Sequence, residues 1–190
     1  DVCGFLTGST LWVNGSAGNY SLKTINDSGL DATGNYALAE GFNTTASGNY
    51  SHAEGQETQA TGITSHAEGR LTKAHGDYSH AEGWGNLASG FGSHAEGEET
   101  TASNTDAHAE GFNTTASGQG SHAEGYGGKF GILASGQGSH AEGNSTLASG
   151  DASHAEGIYT TASGQQSHAE GGTTMAIGVS SHAEGSGTIA

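Results

Sequence analysis

Ten His-Ala-Glu triplets recur along this 190-residue chain, from His52-Ala53-Glu54 to His182-Ala183-Glu184. An imidazole and a carboxylate two positions apart are raw material for acid–base and metal chemistry. The spacing superficially matches the H-x-E of zinc deaminases, but that chemistry also requires a Pro-Cys-x-x-Cys pair. The chain has no Pro and one Cys, and no H-E-x-x-H. Ser-His neighbours such as Ser51-His52 offer a nucleophile beside a base. On an extended backbone, however, adjacent side chains point to opposite faces, which directs the hydroxyl away from the imidazole. No catalytic residue and no cofactor is assigned. Stacked His and Glu do suit zinc, copper or nickel. Ten identical sites read first as architecture, so no metal site is assigned, and a metal- or ligand-binding ladder stands as the alternative function.

What positions these residues is a repeat. From Ala37 the sequence falls into 14-residue blocks with the consensus S-H-A-E-G-x-x-T-x-A-S-G-x-x, eleven copies in all, the one at 121–138 carrying four extra residues and the last, 181–190, truncated. A Gly at every seventh position, among Ser, Thr and Asn, would cost a helix about 1 kcal/mol each. Each block therefore reads as two short strands and two turns. Alternation sends positions 1 and 3 (Ser, Ala) inward and positions 2 and 4 (His, Glu) outward. Ala fills positions 3 and 10 of every block. The interior must be too narrow for anything larger, and the fold class is an all-β, flattened parallel β-roll of 14-residue coils. At a coil spacing of about 4.8 Å, eleven coils stack to about 50 Å. Gly at position 5, and at position 12 except for Asn104, is expected to supply left-handed corners. Residues 21–36 read as a degenerate repeat and 1–20 as an irregular N-terminal cap.

Composition agrees with order by repetition. Leu, Ile, Val and Phe make up about an eighth of the chain, too little for an ordinary thick core. The formal net charge is -16, with 4 Lys+Arg, which argues against nucleic-acid binding. No apolar run approaches a membrane span of about 20 residues, no secretory leader is visible, and no membrane contact is expected of this segment. The single Cys3 cannot form an intrachain disulfide and reads as an unpaired thiol.

The block resembles the head repeat of YadA-type trimeric autotransporter adhesins, S-V-A-I-G-x-x-S-x-A-x-G, over residues 37–190, with a weaker echo from about residue 19. The resemblance implies a left-handed parallel β-roll, a homotrimer of chains side by side, and an extracellular, cell-surface or virion location as an adhesive or structural module, as in phage appendages and Gram-positive surface proteins. It also implies that positions 2 and 4 face the trimer seam. Here those positions hold His52 and Glu54, His66 and Glu68, His80 and Glu82, His94 and Glu96, His108 and Glu110, His122 and Glu124, His140 and Glu142, His154 and Glu156, His168 and Glu170, and His182 and Glu184, where the family has Val and Ile.

The residues point to the same face. Position 9 varies freely, whereas positions 2 and 4 barely change, and Leu22 and Leu38 precede the histidines in the same column. Carboxylates drawn from water need partners, so His–Glu hydrogen bonds between chains are expected, with the carboxylates raising the histidine pKa. The Thr column at position 8 shares the inward parity of Ala, which disfavours an ice-binding surface and favours hydroxyls bonded inside the coil. Ligand recognition, for a host receptor or glycan, is expected where the repeat breaks: Tyr126, Lys129 and Phe130 in the insertion, and Trp84 at a corner.

Overall fold

The structure, a computed structural model, describes residues 12–24 and 30–190. Cys3, with the rest of residues 1–11 of the expected cap, lies outside the described residues. Strand β1 (Trp12–Asn14) pairs antiparallel with β2 (Leu22–Thr24), and β2 starts a parallel ladder by pairing with β4 (Leu38–Phe42). Strand β3 (Asp31–Ala32) starts a second ladder. From there each block up to 167–180 gives a five-residue strand over positions 2–6, such as His52–Gln56, and a short one ending at position 10, such as Gln59–Ala60, while the last block gives only His182–Ala183. The long strands form a 13-stranded sheet and the short ones an 11-stranded sheet. Register is like on like, with His80 opposite His94 and Glu82 opposite Glu96. The result is a parallel β-solenoid with one coil per block. No helix among the described residues is long and apolar enough to cross a membrane.

The interior is as thin as the sequence requires. Ala53 and Ala60, one from each sheet, are fully buried, as are their counterparts up to Ala176. Inward Ser hydroxyls lock the corners: Ser51 Oγ donates to the Gly48 carbonyl at 2.7 Å and Ser79 Oγ to that of Gly76 at 2.6 Å. The Thr column is buried as far as Thr174 rather than displayed, but only part of it is bonded as expected. Thr72 and Thr174 donate to the carbonyls of Glu68 and Glu170 at 3.0 and 3.1 Å, whereas the hydroxyls of Thr44, Thr58, Thr100, Thr114, Thr146 and Thr160 have no partner. In that column Asn86 replaces Thr and bonds to three backbone groups, the carbonyls of Glu82 and Gly97 and the Thr100 N–H.

One expectation is corrected. Position 5 is left-handed, as at Gly97 with φ 103°, but position 12 is absent from the left-handed residues. Gly is needed there for proximity: a Cβ on Gly76 would lie 1.9 Å from the Gly90 carbonyl oxygen of the next coil. The left-handed corners fall instead at positions 7 and 14, on residues as different as Glu57, Leu71, Tyr50 and Gln166. Their N–H groups donate to the preceding coil, Glu57 to Phe42 and Tyr50 to Asn35, each at 2.8 Å. Those bonds hold a conformation that costs non-Gly residues about 1–2 kcal/mol.

The insertion also hides a core residue. Ile132 pairs with Thr114, takes position 8 of its coil and is 1% exposed. Ile132→Ala is expected to cost about 2–4 kcal/mol, read as a lower chemical-denaturation midpoint.

Candidate functional site

Because the long strands are in register, the outward residues of successive coils stack into columns. Imidazoles of neighbouring coils lie parallel, with ring centroids 4.8 Å apart for His52 and His66 and 4.7 Å for His108 and His122. The glutamates run beside them at the same pitch. An open trough of about 1090 Å³ follows the glutamate column, walled by residues such as Glu54 and Glu142 and floored by the position-5 glycines.

Three of the carboxylates, those of Glu82, Glu96 and Glu142, each reach two imidazoles within 4.0 Å. Glu96 places Oε2 4.0 Å from His94 Nε2 on its own strand and Oε1 3.8 Å from His108 Nε2 on the next. Glu142 does the same with His140 and His154, at 3.7 and 3.9 Å. Among the described residues only His140 and Glu124, at 3.2 Å, form a His–Glu hydrogen bond, although His52 and Glu40 approach to 3.4 Å. Pairs expected between chains thus already form within one chain, mostly too long to be hydrogen bonds. The Nε2 atoms of His52, His66, His80, His94, His108, His122, His154 and His168 are closed to solvent without a hydrogen-bond partner.

Three ladder histidines, His66, His122 and His154, are shifted opposite to the sequence expectation. Burial, then the charge of the stacked neighbours, holds His66, His122 and His154 below the ordinary imidazole value, outweighing the carboxylates. The carboxylates alternate. Hydrogen bonding to Glu124 pushes Glu110 and Glu142 up to about 7, while Glu124, accepting from Glu110, is held down to about 2. Glu96 and Glu156 are lowered, first by hydrogen bonds with their glutamate neighbours. From Glu96 to Glu156, lowered and raised carboxylates therefore alternate.

The ligand candidates do not form one cluster. Tyr126 stacks on Phe112 at 5.1 Å, and Phe130 meets Tyr159 edge-on at 6.1 Å with Lys129 Nζ 5.5 Å from its ring. Trp84 lies three coils away from Tyr126, with Glu98 and Phe112 between them in the same column. Deleting residues 128–131 restores a 14-residue block and leaves Ile132 in place. The expected result is a cooperative fold with a nearly unchanged melting temperature, checked by circular dichroism, since the loop contributes little core.

A stripe missed in the sequence lies along the corner beside the ladder. Tyr20, Tyr36 and Tyr50 stack at 5.1 and 5.2 Å, and the line continues through Ile63, Tyr78 and Phe91, all exposed. Its signal was the recurrence of large apolar residues at positions 13 and 14.

Fold and face together define a repeat module: a parallel β-solenoid whose titratable groups are concentrated on one flat sheet. The YadA head domain repeat matches residues 32–58, 109–128, 141–167, 155–173 and 169–190, and the chain belongs to that family. The family is a structural adhesin fold, surface-exposed and typically self-associating as trimers. No curated protein matches the chain.

Proposed function

We propose that the chain is a rigid head or spacer module of a homotrimeric fibre on a bacterial surface or phage appendage, with the His–Glu face as the shared seam. The observation that carries this reading is the exposed aromatic stripe beside the ladder. Six large apolar side chains on successive coils, lined up along the corner that borders the ladder, support a surface covered in the assembly. The adjacent trough offers a place for a neighbouring chain, and Leu22 and Leu38 continue the His column as apolar residues. The loop carrying Tyr126, Lys129 and Phe130 projects from the scaffold as the contact for a host receptor or glycan.

The test is residue accessibility in a Cys3→Ser background. His66→Cys on the ladder should react with a bulky maleimide far more slowly than Gln59→Cys on the opposite sheet, and the two rates should converge when the assembly is dissociated. Equal rates in the intact assembly would place the seam elsewhere.

A further inference from the structure

The ladder carries a chemistry that neither the family nor a structural role explains. The Nε2 atoms of His66, His94, His108 and His154 are shielded, without a hydrogen-bond partner and flanked by carboxylate oxygens on two sides. For His108 the flanking atoms are Glu96 Oε1 at 3.8 Å and Glu110 Oε2 at 3.6 Å. For His154 they are Glu142 Oε1 at 3.9 Å and Glu156 Oε2 at 3.7 Å. These separations are too long for hydrogen bonds. Two ligand atoms each about 2.1 Å from a tetrahedral ion are about 3.4 Å apart, so a small inward movement would bring each N, O, O set to ligand spacing. The imidazole lone pair lies in the ring plane, which disfavours an ion sandwiched between stacked rings and favours one at the Nε2 edge, between two carboxylates.

We propose that each chain binds a linear array of divalent transition-metal ions, each held by one histidine Nε2 and by one oxygen from each of two glutamates on successive coils. Every inner glutamate then bridges two ions, one through each oxygen, as Glu96 does between the His94 and His108 sites. Five imidazoles, those of His66, His94, His108, His140 and His154, have both carboxylates within 4.0 Å. Groups of two histidines and a glutamate with ligand atoms within 4.8 Å of one another recur along the column. Borderline-soft ions such as Zn²⁺ suit a mixed imidazole and carboxylate set, whereas Mg²⁺ and Ca²⁺ prefer oxygen alone. Bound cations would also offset the repulsion of a glutamate column on a chain of formal net charge -16. Each site is complete within one chain, so the inference does not depend on the trimer.

The experiment is equilibrium dialysis of metal-stripped protein against Zn²⁺ with excess Mg²⁺, with bound zinc measured by elemental analysis. The expected result is several ions per chain, about five if the rungs with both carboxylates in reach fill first, retained against Mg²⁺. Replacing His94, His108 and His154 together by Leu, the residue the column holds at Leu38, should reduce the count while leaving the circular dichroism spectrum intact. Should that variant fail to fold, electron paramagnetic resonance of Cu²⁺ on the unmodified protein must show nitrogen ligation. One ion or fewer per chain, full displacement by Mg²⁺, an unchanged count in the folded Leu variant, or copper ligated by oxygen alone would overturn the array.

Discussion

Gly76→Ala and Gly97→Ala should each lower the stability of the solenoid by about 3 kcal/mol or more, for two different reasons. At Gly76 the added methyl meets the Gly90 carbonyl oxygen at 1.9 Å, and backbone on both sides prevents an easy retreat. At Gly97 the same methyl would lie 2.2 Å from the Gly111 oxygen and would also have to accept a φ of 103°. In a stacked array each coil leans only on its neighbours, so the damage should be local and split the roll at that interface. Asn104→Gly is the control. From Gly34 onward, Asn104 is the one position-12 residue whose N–H does not reach the next coil's position-10 carbonyl, and its side chain instead bonds Ser117 and Thr105. Restoring Gly exchanges those bonds for the missing backbone bond, so the change should stay within about 1 kcal/mol. Hydrogen exchange across 76–90 and 97–111 with thermal melting checks all three. Wild-type behaviour of the Ala variants would contradict coil contact as the reason for the Gly columns.

The second large effect is a pH dependence written into the glutamate column. In metal-free buffer the contribution of Glu110 and Glu142, whose folded values are pushed up to about 7, is complete below the ordinary carboxylate range and lost as pH rises through about 7. Glu124, held down to about 2, contributes above that range and is lost only as pH falls through about 2. His66, His122 and His154 are lowered, so their contribution is complete above the unfolded value of about 6.5 and lost as pH falls through their folded values. Variants separate these limbs. Glu110→Gln with Glu142→Gln imitates the protonated rungs and should hold the melting temperature between pH 5 and 8, where the unmodified protein should decline. His122→Leu with His154→Leu should instead lessen the histidine loss on the acid side. Identical pH slopes in the double Gln variant and the unmodified chain would rule out raised carboxyls at Glu110 and Glu142.

How much of this could be read in the residues depends on what enforces each feature. The Ala columns were legible because a cavity with room for one methyl excludes every larger side chain, and Ala53 and Ala60 are indeed fully buried. The outward parity of His and Glu followed from strand geometry alone. The left-handed corners were not legible, because Glu57 and Leu71 are held there by the hydrogen bonds their N–H groups donate to the preceding coil rather than by residue type. Position 12 was assigned its Gly for the wrong reason, since conformational freedom and close approach leave the same letter in a sequence. Ile132 was concealed by the four-residue offset that carries it back into register with Thr114. The lowering of His66, His122 and His154 depends on burial and then on the charge of stacked imidazoles, and composition shows neither.

Sedimentation equilibrium of the unmodified chain at neutral pH, with and without chelator, tests the shared face most directly. The account expects a mass three times that of the 18.8 kDa chain in both conditions. A single-chain mass across the concentration range would contradict it, and would leave the ladder and its aromatic border as surfaces turned to solvent.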